Sequence, residues 1–123
     1  MTIIKAVAEE GARTRTFPTE WSHYPNDPLM IEVFFPEQDV IWDLSLELFR
    51  EAFASSGSDA HGEGAVQIRV FEEFAFVLLW GEGGDSASLK FRADEVREFL
   101  DQIDDQGSDE IIAREIEEFL EAL

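Results

Sequence analysis

Residues 74–80, Phe-Ala-Phe-Val-Leu-Leu-Trp, carry no polar side chain at all. Side chains alternate across a strand, so this run is apolar on both faces and is expected to lie centrally in a sheet, covered from two sides. Residues 29–35 pose the same demand less completely: Ile31, Val33 and Phe35 share one face, while Met30, Glu32 and Phe34 share the other. One face is expected to pack on helices built from Phe49, Val96, Phe99 and Leu100. The other, with Phe34, needs a neighbouring subunit or an opposing sheet.

Around these two segments the pattern is mostly of strands. Residues 65–71 alternate cleanly, Val66, Ile68 and Val70 inward against Gln67 and Arg69 outward, and residues 87–92 set Leu89 and Phe91 against Lys90 and Arg92. Segments 2–8 and 14–21 are two further strands, with Gly11 supplying the turn between them. In Tyr-Pro-Asn-Asp-Pro, residues 24–28, Pro25 presets a turn and Pro28 opens the strand that ends before Pro36. Residues 39–44 then pair back on 29–35 as a hairpin, with Val40 and Trp42 on one face and Ile41 on the other. That makes about seven strands.

Helical spacing appears in three places. Ser45 is a good N-cap, and Leu46, Phe49 and Phe53 form a stripe on a helix ending near Ser55. Val96, Phe99, Leu100 and Ile103 fall on one face of a second helix, and Ile112, Ile116, Phe119, Leu120 and Leu123 on one face of a third, acidic one over about 108–123. Residues 55–64 and 81–86 are small, polar and glycine-rich; the first reads as a mobile surface loop and the second as a turn. Strands first and two helices late make an α+β order, with two or three helices in all packed on the sheets. Without an internal repeat or a dividing linker, residues 1–123 read as a single domain.

Charge limits the partners. With 9 basic against 28 acidic side chains the net charge is -19, which repels nucleic acid and anionic lipid alike. The absence of cysteine excludes disulfides and thiolate metal sites. Neither a signal peptide nor a run of roughly 18 apolar residues is present, so a cytoplasmic protein with no membrane insertion is expected.

Motifs that carry chemistry fail on their spacing. Gly-Glu-Gly-Gly at 81–84 lacks the lysine and hydroxyl residue of a phosphate loop. His23 and His61 stand far apart and outside any metal-ligand frame, so His61 reads as solvated and His23 as a strand-end residue. With Gly107 at the sixth place of a calcium loop, places one, three, five and twelve are Gln102, Asp104, Gln106 and Ala113, which breaks the acidic pattern. Paired carboxylates are the remaining route to an acidic hydrolase, but none sits in a catalytic frame. No catalytic, cofactor-binding or metal-binding residue is therefore assigned. Aromatic residues Trp42, Phe74, Phe76 and Trp80 read as core or interface, because Arg69, Lys90 and Arg92 are outnumbered as a basic groove for single strands.

Four motifs in order carry a family likeness. Tyr24 precedes Asp27 and Pro28 at the opening of a strand; the strand tryptophan Trp42 leads into a helix with Leu48 and Phe49; Gly62, Glu63 and Gly64 turn into an alternating strand; and a strand passes into the helical Glu98, Phe99, Leu100 and Asp101. This succession, over roughly residues 16–102, resembles the SsgA-like family of actinobacterial sporulation and cell-division regulators. The chain departs from it at Leu46 and Glu47, where an arginine and an aspartate are frequent, and in the length of its acidic end. The resemblance implies a whirly-like fold and a homotrimer. It also implies a non-enzymatic, protein-binding adaptor without cofactors, acting at the division septum on the tubulin-like protein FtsZ or on another SsgA-like protein. The alternative on fold grounds is a whirly-like protein that binds single-stranded nucleic acid, which the charge disfavours.

Overall fold

In the computed structural model the described residues are 1–10, 12–55, 61–63, 65–80, 86–103 and 120–122. Among them are eight strands: β1 (Thr2–Glu10), β2 (Arg13–Ser22), β3 (Met30–Phe35), β4 (Val40–Ser45), β5 (His61–Glu63), β6 (Val66–Phe71), β7 (Phe74–Trp80) and β8 (Ser86–Arg92). Helix α1 (Leu46–Ala54) follows β4 directly, and a second helix, α2, follows β8 over residues 93–103. The strands form one antiparallel sheet in the order β4-β3-β2-β1-β8-β7-β6-β5. It is two four-stranded meanders, each leading into a helix, joined where β1 meets β8. This is the antiparallel α+β fold expected.

The seven expected strands all form, and the hairpin of residues 30–45 pairs Phe35 with Val40 and Met30 with Ser45. The eighth, β5, corrects the reading of residues 55–64 as loop: His61–Glu63 pairs with β6, Gly62 lying opposite Gln67. Three residues without a β-branched or aromatic member give no strand signal in isolation; pairing with β6 supplies what propensity does not. The expected turns at Gly11 and at 81–85 lie outside the described residues, as does most of the third helix, of which 120–122 are helical.

Helix α1 starts where its cap predicts. The Leu48 backbone N–H donates to Ser45 Oγ at 3.3 Å, and Leu46, Leu48, Phe49 and Ala52 are buried. The turn at 24–29 is closed by Asp27 N–H donating to the Tyr24 carbonyl at 3.0 Å, and His23 Nε2 lies 2.9 Å from the Pro28 carbonyl oxygen. His23 thus serves as a turn fastener at the strand end.

The core gathers the inward side chains of both meanders into one cluster. Ile4, Ile31 and Val33 come from the first, Ile68, Val77 and Phe91 from the second, and Phe49, Val96, Phe99 and Leu100 from the helices. Since one cluster takes side chains from β4 across the sheet through β3, β2, β1, β8 and β7 to β6, the sheet wraps around it. Trp21 stands at the centre, fully buried, in edge-on contact with Phe49 at 5.4 Å, Phe91 at 5.2 Å and Phe99 at 5.7 Å between ring centroids. Each such pair adds about 0.5–1.5 kcal/mol beyond burial. Its indole N–H is satisfied inside the core: Trp21 Nε1 donates to Thr19 Oγ1 at 2.8 Å, and the Thr19 hydroxyl donates to the Ile4 carbonyl of the adjacent strand.

Candidate interaction surface

The inward face of β3 behaves as its sequence requires, with Ile31, Val33 and Phe35 buried. The outward face is the question. Met30, Glu32 and Phe34 are only half-buried, as are Phe74, Phe76 and Leu78 on β7, whose inward Ala75 and Val77 are fully covered. The expectation that 74–80 is covered twice is thus corrected: among the described residues no helix or second sheet lies over its outer side. Those rings are shielded edgewise by neighbouring strands, because residues opposite one another in an antiparallel pair share a face.

The pairing register makes the outer face readable row by row. On the β6–β7–β8–β1 side, Arg69 lies opposite Phe76, Phe76 opposite Lys90 and Lys90 opposite Val7. The next row runs Phe71, Phe74, Arg92, and the row on the other side runs Gln67, Leu78, Ser88. Lys90 Nζ sits 4.4 Å from the Phe74 ring centroid and the Arg69 guanidinium 5.5 Å from that of Phe71, both within cation–π range. Gln67, Arg69, Phe76, Leu78 and Ser88 line an open hollow of about 330 Å³.

The other half of the same face has the opposite sign. Ile3 is opposite Glu20, Glu20 opposite Phe34 and Phe34 opposite Ile41; beside that row, Ser22, Glu32 and Asp43 follow one another. Facing carboxylates at Glu32 and Asp43 repel each other, a cost that a sheet normally avoids. They border a hollow of about 380 Å³ lined also by Tyr24, Asn26, Asp27 and Met30. Ile41 and Ile3 are exposed by 56% and 61%, so apolar area accompanies the acids.

At the edge of the basic half, Arg92 forks onto Asp94 through Nε–Oδ1 at 3.2 Å and Nη2–Oδ2 at 3.4 Å. That hydrogen-bonded pairing holds the Asp94 carboxyl below its ordinary range and the Arg92 guanidinium above its own. Asp94 Oδ1 also accepts the Glu95 backbone N–H, at the first turn of α2.

Sequence reasoning placed Arg69, Lys90 and Arg92 outward but did not bring them together with Phe74 and Phe76. The signal lay in alternation: each is an outward position of its strand, and only the register says that the strands are neighbours. Trp42 is a core-edge residue, its ring tilted against Phe35 at 4.2 Å between centroids, whereas Trp80 is partly exposed. Among the described residues no cluster of three or more metal-ligating side chains occurs, and no helix is long and apolar enough to cross a membrane.

The fold is similar to a solved structure from work on mutations in SsgB that correlate with longitudinal cell division during sporulation of Streptomyces coelicolor. The TM-score is 0.74 at 17% identity, over 85% of this chain and 83% of that one. No curated protein matches the sequence significantly. The family model described as Streptomyces sporulation and cell division protein, SsgA, matches residues 17–108. These residues include the core tryptophan, the strands from the second half of β2 through β8 and both helices, and the chain belongs to the SsgA family of sporulation and cell-division proteins.

Proposed function

We propose that this protein is a non-enzymatic adaptor of sporulation-linked cell division, which binds other proteins and helps position or support the FtsZ septum machinery. The observation that carries the reading is the outer sheet face, where half-buried aromatic rings and ordered rows of charge lie without cover from any described element. An enzyme concentrates polar groups in an enclosed cleft, whereas the hollows here are open and spread over a sheet. In this reading residues 1–123 act as one domain, in the cytoplasm and at the septum. The protein is a homo-oligomer, a trimer by family resemblance, with FtsZ or another SsgA-like protein as partner.

The test is to express a fluorescent fusion in a sporulating actinomycete lacking the native gene and to follow septa. Bands of fluorescence coincident with FtsZ rings, and restored septation, are expected. Diffuse fluorescence with septation unaffected by loss of the gene refutes the role.

A second reading has one observation in its favour. Arg69, Phe76 and Lys90 in a row resemble a stacking platform for single-stranded nucleic acid. Against it stands the net charge of -19, which penalises approach of any polyanion. Filter binding of single strands at low salt separates the two: tight retention that collapses on adding salt favours nucleic acid.

A further inference from the structure

The two halves of the outer face are complementary to each other. On the β6–β7–β8–β1 side the outward charges are Lys5, Arg69, Lys90 and Arg92, with Glu9 the one carboxylate at the far end of β1; on the β2–β3–β4 side they are Glu20, Glu32 and Asp43, with no cation. Among the described residues Lys5, Arg69 and Lys90 make no salt bridge, while Arg92 is held by Asp94. In a chain with 28 acids and 9 bases, a sheet face that sorts its charge by halves is unlike the composition around it.

We propose that copies of this chain associate head to tail, the basic–aromatic half of one seating on the acidic–apolar half of the next. Phe76 and Leu78 meet Phe34 and Ile41, and Arg69 and Lys90 meet Glu32 and Asp43. This deepens the homo-oligomer reading above and rests on it. Two arguments choose a second copy as the occupant. First, each half offers what the other lacks: cations beside rings against carboxylates beside aliphatic carbon, so that one contact buries apolar area and pairs the charges that rim it. Second, the wrapped sheet turns the two halves away from each other, because their inward sides share one core. They cannot close on each other within one chain. A contact between unlike faces is heterologous, and it closes as a ring or continues as a filament. Net repulsion between acidic copies opposes assembly at long range, and the local pairs set which faces meet.

The test uses the full chain with two double variants, Arg69→Glu with Lys90→Glu, and Glu32→Lys with Asp43→Lys. All four side chains lie on the outer face, and far-UV circular dichroism checks that each variant folds. Sedimentation velocity over 1–100 micromolar (about that range brackets weak interfaces) reads the assembly. Wild type sediments above one subunit. Each double variant alone loses at least about tenfold in association, since close interfacial charge pairs couple by more than the energy of one decade. The equimolar mixture of the two recovers assembly, because each reversed face then meets a reversed partner.

If wild type assembles and the variants assemble equally well, or the mixture fails to recover, this interface is wrong while the oligomer reading stands. A wild type that stays monomeric overturns both, and leaves septal localisation to judge the cellular role. A monomer that retains a single-stranded oligonucleotide through Arg69 and Lys90 overturns it in favour of nucleic acid.

Discussion

Replacing Thr19 by valine deletes one oxygen from the centre of the molecule while leaving the side-chain shape nearly unchanged. Apolar transfer alone favours the change. The structure reverses the sign: Thr19 is fully buried, its hydroxyl accepts from Trp21 Nε1 and donates to the Ile4 carbonyl, and both bonds vanish together. Leaving the buried indole N–H unpaired costs about 1–3 kcal/mol, and the lost bond to Ile4 about 1 more. The sum, roughly 2–4 kcal/mol, is a large share of the ~5–15 kcal/mol that holds a typical domain together. Thr19→Ser is the control, since it keeps the hydroxyl and loses a methyl group worth about 0.8 kcal/mol. Urea unfolding followed by far-UV circular dichroism reads both. With a slope of about 1.5 kcal/mol/M, the valine midpoint falls by about 1.3–2.7 M and the serine midpoint by about 0.5 M. A valine variant as stable as wild type, or more stable than the serine variant, refutes the claim that this relay fastens β1 to β2.

Phe49→Ala opens the centre of the aromatic cluster beside Trp21 and is expected to cost about 3–5 kcal/mol in the same unfolding assay; a loss below 1 would mean that the helix contact is dispensable. Gly62→Ala puts a Cβ 2.6 Å from Gln67 Cγ and 3.0 Å from the Val66 carbonyl, so the β5–β6 pairing has to shift, and amide exchange in β6 should rise while β2 stays protected. Glu72, at φ 56°, occupies the first place of the two-residue turn between β6 and β7; Glu72→Gly relieves that conformation and, net of the added chain entropy, gains about 0.5 kcal/mol, seen as a melting temperature higher by about 2 °C. The Arg92 hydrogen bond lowers the Asp94 carboxyl, so whatever the pair contributes is present above the ordinary carboxylate range and fades as pH falls through the lowered value. In Arg92→Gln the Asp94 carbon resonance should titrate at higher pH than in wild type, and an unchanged midpoint would show that the fork is not formed in solution.

Period-two alternation was enough to find β1 to β4 and β6 to β8, and Ser45 with the Leu46–Phe49 spacing was enough to start α1 at its true residue. The Val96, Phe99, Leu100 and Ile103 stripe likewise named the buried face of α2. Trp21 was visible only as a strand residue; its place at the centre depends on Phe49, Phe91 and Phe99 arriving from three other elements. Strand β5 was hidden because its stability comes from its partner rather than its residues. The charge-sorted outer face was hidden for a related reason. A net charge of -19 averages over the whole surface, whereas the row from Arg69 through Phe76 to Lys90 exists only once three strands have taken their register.

The junction of β1 with β8, from Ala6 with Phe91 to Ala8 with Leu89, joins two strands that lie far apart in the sequence, with six others between them. A ribosome therefore delivers the whole first meander before any residue able to cover Trp21 from the β8 and α2 side has been synthesised. Loop closure over such a span is entropically costly, so folding should be slow for the size and final collapse should wait until β8 and α2 have been made. Chains cut short before α2 leave an indole and the valine and isoleucine of β3 facing water, and are the forms that chaperones and proteases meet first.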